Sequence, residues 1–311
     1  MNILHSMELR KMTPNNSDGR TIACVVDTEC CYKNAKPYDE ANGLVYHFGA
    51  VFGDINQQQY SISYKEMDYY VKEVIENIDN FFFMNREGTP YGTNGAMKRA
   101  LKDAIRNPHK VKRWKHIMEE FQDEINSRGV EYLTSYNYNF DIGAGEKQGT
   151  IRKTNMQLTD KAFYLPRGVD YFCLMDCACN IVANDNFAKW YNALPSDMQK
   201  QMQTERGNKS YSAQTLMRYI SQDLYYTEQH TALRDSRMEF RLLNYMWQHS
   251  NWKSIMKKEF VNKVMYVSPK DFHNGISSTQ KRKNRLERGM KISNGMKKKN
   301  GSSTKGRTLN G

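Results

Sequence analysis

Acidic residues sit in this chain where acids are costly. Asp27 ends a nearly unbroken apolar run, Thr21 to Asp27, and Glu29 follows two residues on. If the run is a strand, its period of two sends both carboxylates to the same side. Two carboxylates held close on one face repel each other unless a cation lies between them. Hard divalent ions take oxygen ligands, so an Asp-x-Glu pair at a strand end is half of a metal site. Many strands also end in an acid at a turn, so the pair needs company before it means more.

Asp141 is a second candidate. It lies in the polar-aromatic run YNYNFD, after a predicted strand and at the start of a predicted short helix. A helix-start acid favoured by the helix dipole is the competing explanation. His230 and Asp235 form the third element, HTALRD, which the periodicity places inside the last long helix. Five helical positions put these side chains about 140° apart around the axis. A metal cluster on one side and a phosphate on the other can use both. A surface histidine and a salt-bridged aspartate are the plain alternative.

Taken in order, VVDTEC, NYNFDIG and HTALRDS resemble the motifs of the DEDD exonucleases in the RNase H-like superfamily. The histidine five positions before the last aspartate matches the histidine subclass, the DnaQ-like enzymes; the tyrosine subclass would have Tyr at 231, where this chain has Thr231. The resemblance covers about residues 21 to 250, and the segment YLPRGVDYFCLMDCACN is similar to phage-encoded members. Two cysteines, Cys30 and Cys31, stand after the D-T-E where the family more often has Thr or Gly.

The resemblance implies a 3′→5′ exonuclease that releases nucleoside monophosphates from DNA 3′ ends. Asp27, Glu29, Asp141 and Asp235 would hold two divalent ions, Mg²⁺ or Mn²⁺. His230 would be the general base, a role suited to an imidazole titrating near neutrality. The main chain at Thr28 and Glu29 would receive the terminal 3′ hydroxyl. Thr28, Cys30, Tyr32, Tyr138 and Asn139 would touch substrate, with Tyr32, Tyr138 and Phe140 as rings on which bases stack. For Phe140, core packing is the expected alternative. An exoribonuclease of the same fold and a non-catalytic nucleic-acid-binding protein are the competing readings. A polymerase or replication partner would have to act in trans.

The elements that must position these residues are α/β. Strands are predicted at Thr21–Asp27, Leu44–Phe52 and 58–64, separated by turn-forming segments as in a meander. Helices are predicted at 67–78, 95–105 and Val111–Ile125, with Asn107-Pro108 between the last two. A strand at Val130–Tyr136 follows, then a short helix after Asp141. Residues 150–168 read as a loop with one small strand. A strand at Val169–Met175, a helix at 176–182, several helices over 186–224 and a last helix at 227–249 complete the chain. The expected fold is an RNase H-like mixed sheet, an antiparallel three-strand meander plus parallel strands, flanked by helices. A flexible lead over 1–20, one domain over 21–260 with a helical insertion at 65–129, and a disordered basic tail over 276–311 complete the organisation.

The net charge of +12 is concentrated at the end. Residues 276–311 carry eleven Lys or Arg and one acid, Glu287, leaving about +2 for the rest. Lys281, Arg282, Lys283, Lys297, Lys298 and Lys299 are the densest part and are suited to contact phosphates in a salt-dependent way. Six cysteines without a C-x-x-C pair are expected as buried reduced thiols. No apolar run approaches the roughly 20 residues of a membrane helix. With no apolar leader at the N-terminus, a cytoplasmic protein is expected, in the host cytoplasm if phage-encoded.

Overall fold

The computed structural model describes residues 20–32, 43–56, 63–81, 96–143, 149–159, 166, 169–183, 185–205 and 207–249. The expected N-terminal lead and basic tail therefore lie outside the described residues.

Three strands form the expected meander: β1 (Ile22–Tyr32), β2 (Gly43–Asp54) and β3 (Ser63–Val71), each antiparallel to the next. Two further strands, β5 (Tyr132–Ser135) and β6 (Asp170–Cys173), run parallel to β1. A two-residue strand, β4 (Val111–Lys112), joins β3 at the far edge. The sheet order is β4-β3-β2-β1-β5-β6. This is the mixed sheet flanked by helices that the sequence pattern required.

Both faces of the central strands are covered, which is why Thr21–Asp27 lacks polar alternation. Cys24 and Val26 face one apolar layer, built with Phe48, Trp114, Ile117, Phe121 and Ile151. Ala23 and Val25 face the other, built with Phe172, Leu216, Leu242 and Leu243. The first layer carries α2 (Ala96–Arg106), α3 (Trp114–Arg128) and α5 (Thr150–Leu158). The second carries α6 (Leu174–Ala183), α7 (Asp185–Asn192), α8 (Ser196–Gln201), α9 (Ala213–Ser221) and α10 (Ala232–His249). Two short α-helices, α1 (Lys72–Ile75) and α4 (Tyr138–Asp141), also lie among the described residues. All six cysteines are free thiols; five are buried, and Cys30 is half-buried.

Several expected boundaries are corrected. The first strand does not stop at Asp27 but continues to Tyr32, because β2 keeps pairing with it. Residues 67–71, expected as a helix, belong to β3. Met67, Tyr70 and Val74 are buried at a spacing that mimics a helix, yet the backbone from Ser63 to Tyr70 pairs with β2. The stretch 65–129, expected as a helical insertion, thus opens inside a sheet strand. The helix expected from Val111 starts at Trp114, after β4.

Residues 150–158, expected as a loop, form α5. Its buried face is Thr150, Ile151, Thr154 and Asn155, largely polar, so no apolar period announces it. The Thr154 hydroxyl and the Asn155 side-chain oxygen find partners, while the Asn155 side-chain nitrogen is buried without one. The Thr154 hydroxyl donates to the Thr150 carbonyl at 2.7 Å and accepts from the Val45 N–H at 2.9 Å. Asn155 accepts from the Trp114 indole at 2.8 Å.

Candidate metal centre

The candidate site lies past the end of the β1–β5 pairing. That pairing covers Ala23 to Val25 of β1 and stops, while β1 runs on. Asp27 and Glu29 therefore stand on a stretch of β1 that no parallel strand flanks. Asp27 and Glu29 share the strand parity of Ala23 and Val25, which face the layer holding α10. A β-bulge follows directly after Glu29, where the register with β2 shifts. Bulges re-aim side chains and are common beside functional sites.

Asp141 fills the gap left by β5. It closes α4 rather than opening a helix, which corrects the expected placement. Its carboxylate is buried and accepts from the Thr28 hydroxyl at 2.6 Å and from the Thr28 backbone N–H. The Thr150 hydroxyl is 2.9 Å from that of Thr28 and donates to the Asp141 carbonyl at 3.2 Å. Thr28 is thus buried as an anchor for Asp141.

Asp235 arrives from the other side, in the first turn of α10. This helix starts at Ala232, so His230 precedes it and is not part of it. That corrects the expected helical spacing of the pair. Thr231 takes the capping position, a residue type favoured there. The Asp235 carboxylate accepts from the Thr231 N–H at 2.9 Å, and the Asp235 N–H donates to the Thr231 carbonyl at 3.0 Å. Both bonds fix the start of the helix and the carboxylate together. His230 has a φ of 51° and is exposed. Left-handed backbone in a non-glycine residue costs about 1–3 kcal/mol and collects at functional sites.

The result is convergence. Ligand oxygens of Asp27, Glu29 and Asp235 lie within 4.8 Å of one another. Donor atoms of Glu228, His230 and Asp235 do so as well, which makes Asp235 the shared member. Asp141 contributes its charge to both Asp27 and Glu29. Asp27, Glu29, His230 and Asp235 thus fall in two overlapping donor groups, and Asp141 lies near enough for its charge to act on Asp27 and Glu29.

Burial and mutual repulsion hold these acids toward their protonated forms. Burial raises Glu29 to about 7, with Glu228 and Asp141 adding to the rise and Arg99 opposing it. Burial raises Asp141 to about 7, against the bonds from Thr28. Burial, then Glu228 and Glu29, raise Asp235 to about 8. Asp27 is pushed well up by burial and then by Asp141, Glu239, Glu29 and Asp235. Carboxylates this close, with so little cationic charge among them, fit a bound divalent cation with hard oxygen ligands.

Sequence reasoning missed several residues. Glu239 is buried one helical turn beyond Asp235, on the same face of α10. It accepts from the Tyr136 N–H at 3.1 Å, and its carboxyl is pushed well up by burial, then Asp141 and Asp235. Its spacing of four from Asp235 was the available signal. His47 is buried opposite Glu29 in the strand pairing. Its Nδ1 accepts from the Ala232 N–H at 3.3 Å, so Nε2 donates to Asp68 at 2.7 Å. No local pattern marks this histidine. Gly49, paired with Asp27, lets the start of α10 lie directly on the sheet.

The expected substrate contacts divide. Cys30, Tyr32 and Asn139 are half-buried, and Cys30 packs against the apolar layer beside Thr28. Tyr138 is buried with its ring stacked on Tyr171, centroids 5.3 Å apart. Phe140, expected in the core, is 43% exposed. The two rings have exchanged their expected places, because the short helix α4 turns Tyr138 inward and Phe140 out.

Fold and site together define a mixed α/β domain with a cluster of carboxylates whose oxygens could hold a metal ion. No family model matches the chain, and no curated protein matches it. Among solved structures it is similar to the nuclease domain of 3'hExo, a DEDDh family member solved bound to rAMP. That match has a TM-score of 0.42 and 12% identity, covering 74% of this chain and 93% of that one. It is also similar to cell-death related nuclease 4 (CRN-4), with a TM-score of 0.39 and 15% identity, covering 73% of this chain and 64% of that one.

Proposed function

We propose that this chain is a metal-dependent 3′→5′ exonuclease of the histidine DEDD class, which releases nucleoside monophosphates from single-stranded or frayed DNA ends. One observation carries the reading. Asp27 and Glu29 on β1 and Asp235 on the distant helix α10 bring their oxygens within 4.8 Å of one another, with His230 close to Asp235 and the charge of Asp141 acting on Asp27. Mg²⁺ or Mn²⁺, held by Asp27, Glu29, Asp141 and Asp235, would supply charge stabilisation at the phosphodiester and lower the pKa of the attacking water.

The chain's own groups do the rest. His230, exposed and adjacent to Asp235, takes the proton of the attacking water. Its position ahead of α10 lets it approach a phosphate that lies over the carboxylates. The main chain around Thr28 and Glu29 receives the terminal 3′ hydroxyl. Thr28 and Thr150 keep Asp141 in place, so that the acid does not swing as charge builds in the reaction. Phe140, exposed beside Asp141 in α4, would offer a ring on which a terminal base can stack, and Tyr32, half-buried at the end of β1, would offer another.

The test is release from matched DNA and RNA single strands labelled at either end, with Mg²⁺ or Mn²⁺ supplied. Mononucleotides appearing first from the 3′ end support the reading, and faster DNA digestion supports the DNA preference. Faster RNA digestion moves the substrate to RNA. Internal cuts, or release without added metal, defeat the proposal.

A further inference from the structure

We propose that the stripe Arg99–Lys102–Arg106 on α2 is a track for the backbone phosphates of the single strand whose 3′ end enters the carboxylate site. The inference takes its ligand from the nuclease reading above. At 100° per residue, the three side chains fall within about 60° of one another around the helix axis. Ala100 and Ala104 lie on the opposite side and are buried in the core, so the cations are turned outward. All three are exposed.

The stripe begins at the site. Arg99 Nη2 donates to the Gln229 carbonyl at 3.4 Å, directly ahead of His230. The Arg99 charge also reaches Glu29 and favours its ionised form. From Arg99 to Arg106, seven helical steps carry the stripe about 10 Å along α2.

Neighbouring cations are engaged elsewhere. Lys110 bridges Asp68 and Asp103, Lys112 pairs with Glu120, and Lys65 pairs with Glu124. Arg237 pairs with Glu66. Among the described residues, Lys102 and Arg106 are in no ion pair. A centre of clustered acids repels a polyanion, so a strand needs cations along its approach. This stripe supplies them on an element that ends at the centre.

The test is fluorescence anisotropy of a labelled single strand on the full chain, with metal chelated so that nothing is cut, over a range of salt. Lys102→Ala/Arg106→Ala should flatten the slope of log affinity against log salt by about 1.4, at about 0.7 per lost phosphate contact. At moderate salt it should weaken binding roughly tenfold. Lys189→Ala/Lys200→Ala, which removes the same charge from α7 and α8, should leave the slope at the wild-type value. An unchanged slope in the α2 variant overturns the proposal, as does an equal loss in both variants. The nuclease reading fails separately, if metal-supplied wild type releases no nucleotide while the binding comparison still reads the stripe.

Discussion

Replacing Gly49 by Ala should move the Asp235 carboxylate without touching it. An added Cβ would stand 2.2 Å from the Ala232 carbonyl carbon and 2.4 Å from both the Ala232 oxygen and the Leu233 nitrogen. These are backbone atoms of the first turn of α10 and cannot rotate away. Ordinary contact begins at 3.4 Å, so the helix start must retreat by about 1.2 Å. Asp235 sits in that same turn and retreats with it, away from Asp27 and Glu29. A misplacement of about 1 Å at a reacting centre costs about 10²-fold in rate. Overpacking adds about 1–3 kcal/mol of destabilisation. The assay is kcat/KM for nucleotide release, measured well below the melting midpoint, beside the midpoint itself. Expected is a loss near a hundredfold in a protein that remains folded. Wild-type activity with an unchanged midpoint would refute the docking of α10 on Gly49.

Metal-free protein should lose stability as pH rises from about 4 to about 8. The raised acids bind protons in the folded state that they release when unfolded, so the slope of stability with pH is negative across that window. Glu29, displaced to about 7, contributes about 3 kcal/mol at roughly 1.4 kcal/mol per pKa unit. In a domain of this size that is about 6–12 °C in melting midpoint. Mg²⁺ or Mn²⁺ should restore most of the loss at pH 8 and little at pH 5, where protons compete for the ligands; a flat melting profile without metal would contradict the electrostatics. His230→Ala should lower kcat by about 10²–10⁴-fold with little change in strand affinity, and loss of affinity at constant kcat would remove His230 as the base. Deleting residues 276–311 should weaken strand binding and flatten its salt dependence, and an unchanged salt slope would assign the basic tail to another partner.

The parts of the fold readable in the sequence were those whose burial is apolar. The run at Thr21–Asp27 and the meander order follow directly from hydrophobic pattern. Elements that bury polar faces were not readable this way. α5 packs through Thr150, Thr154 and Asn155, whose hydrogen bonds replace the apolar stripe. β3 mixes ion-paired Lys65, Glu66 and Asp68 with buried Met67 and Tyr70, which blurs its period of two.

The site shows the same division. Asp27 and Glu29 were readable because strand geometry is local. Asp235 was readable by type and spacing, but the start of α10 was placed too early, although Thr231 is a favourable cap. His47 and Gly49 act only through the contact between β2 and α10, which local sequence does not encode. Glu239 was within reach of helical periodicity, four residues after Asp235.

The central claim is that four carboxylates and one histidine form a metal-dependent nuclease centre. Its most direct test is nucleotide release from an end-labelled strand as Mg²⁺ or Mn²⁺ is titrated into wild type, Asp27→Ala and Asp235→Ala. Release should be absent without metal, saturate with metal in the wild type, and vanish in both variants while their melting transitions persist. Metal-dependent release at the wild-type rate by either folded variant would contradict the account.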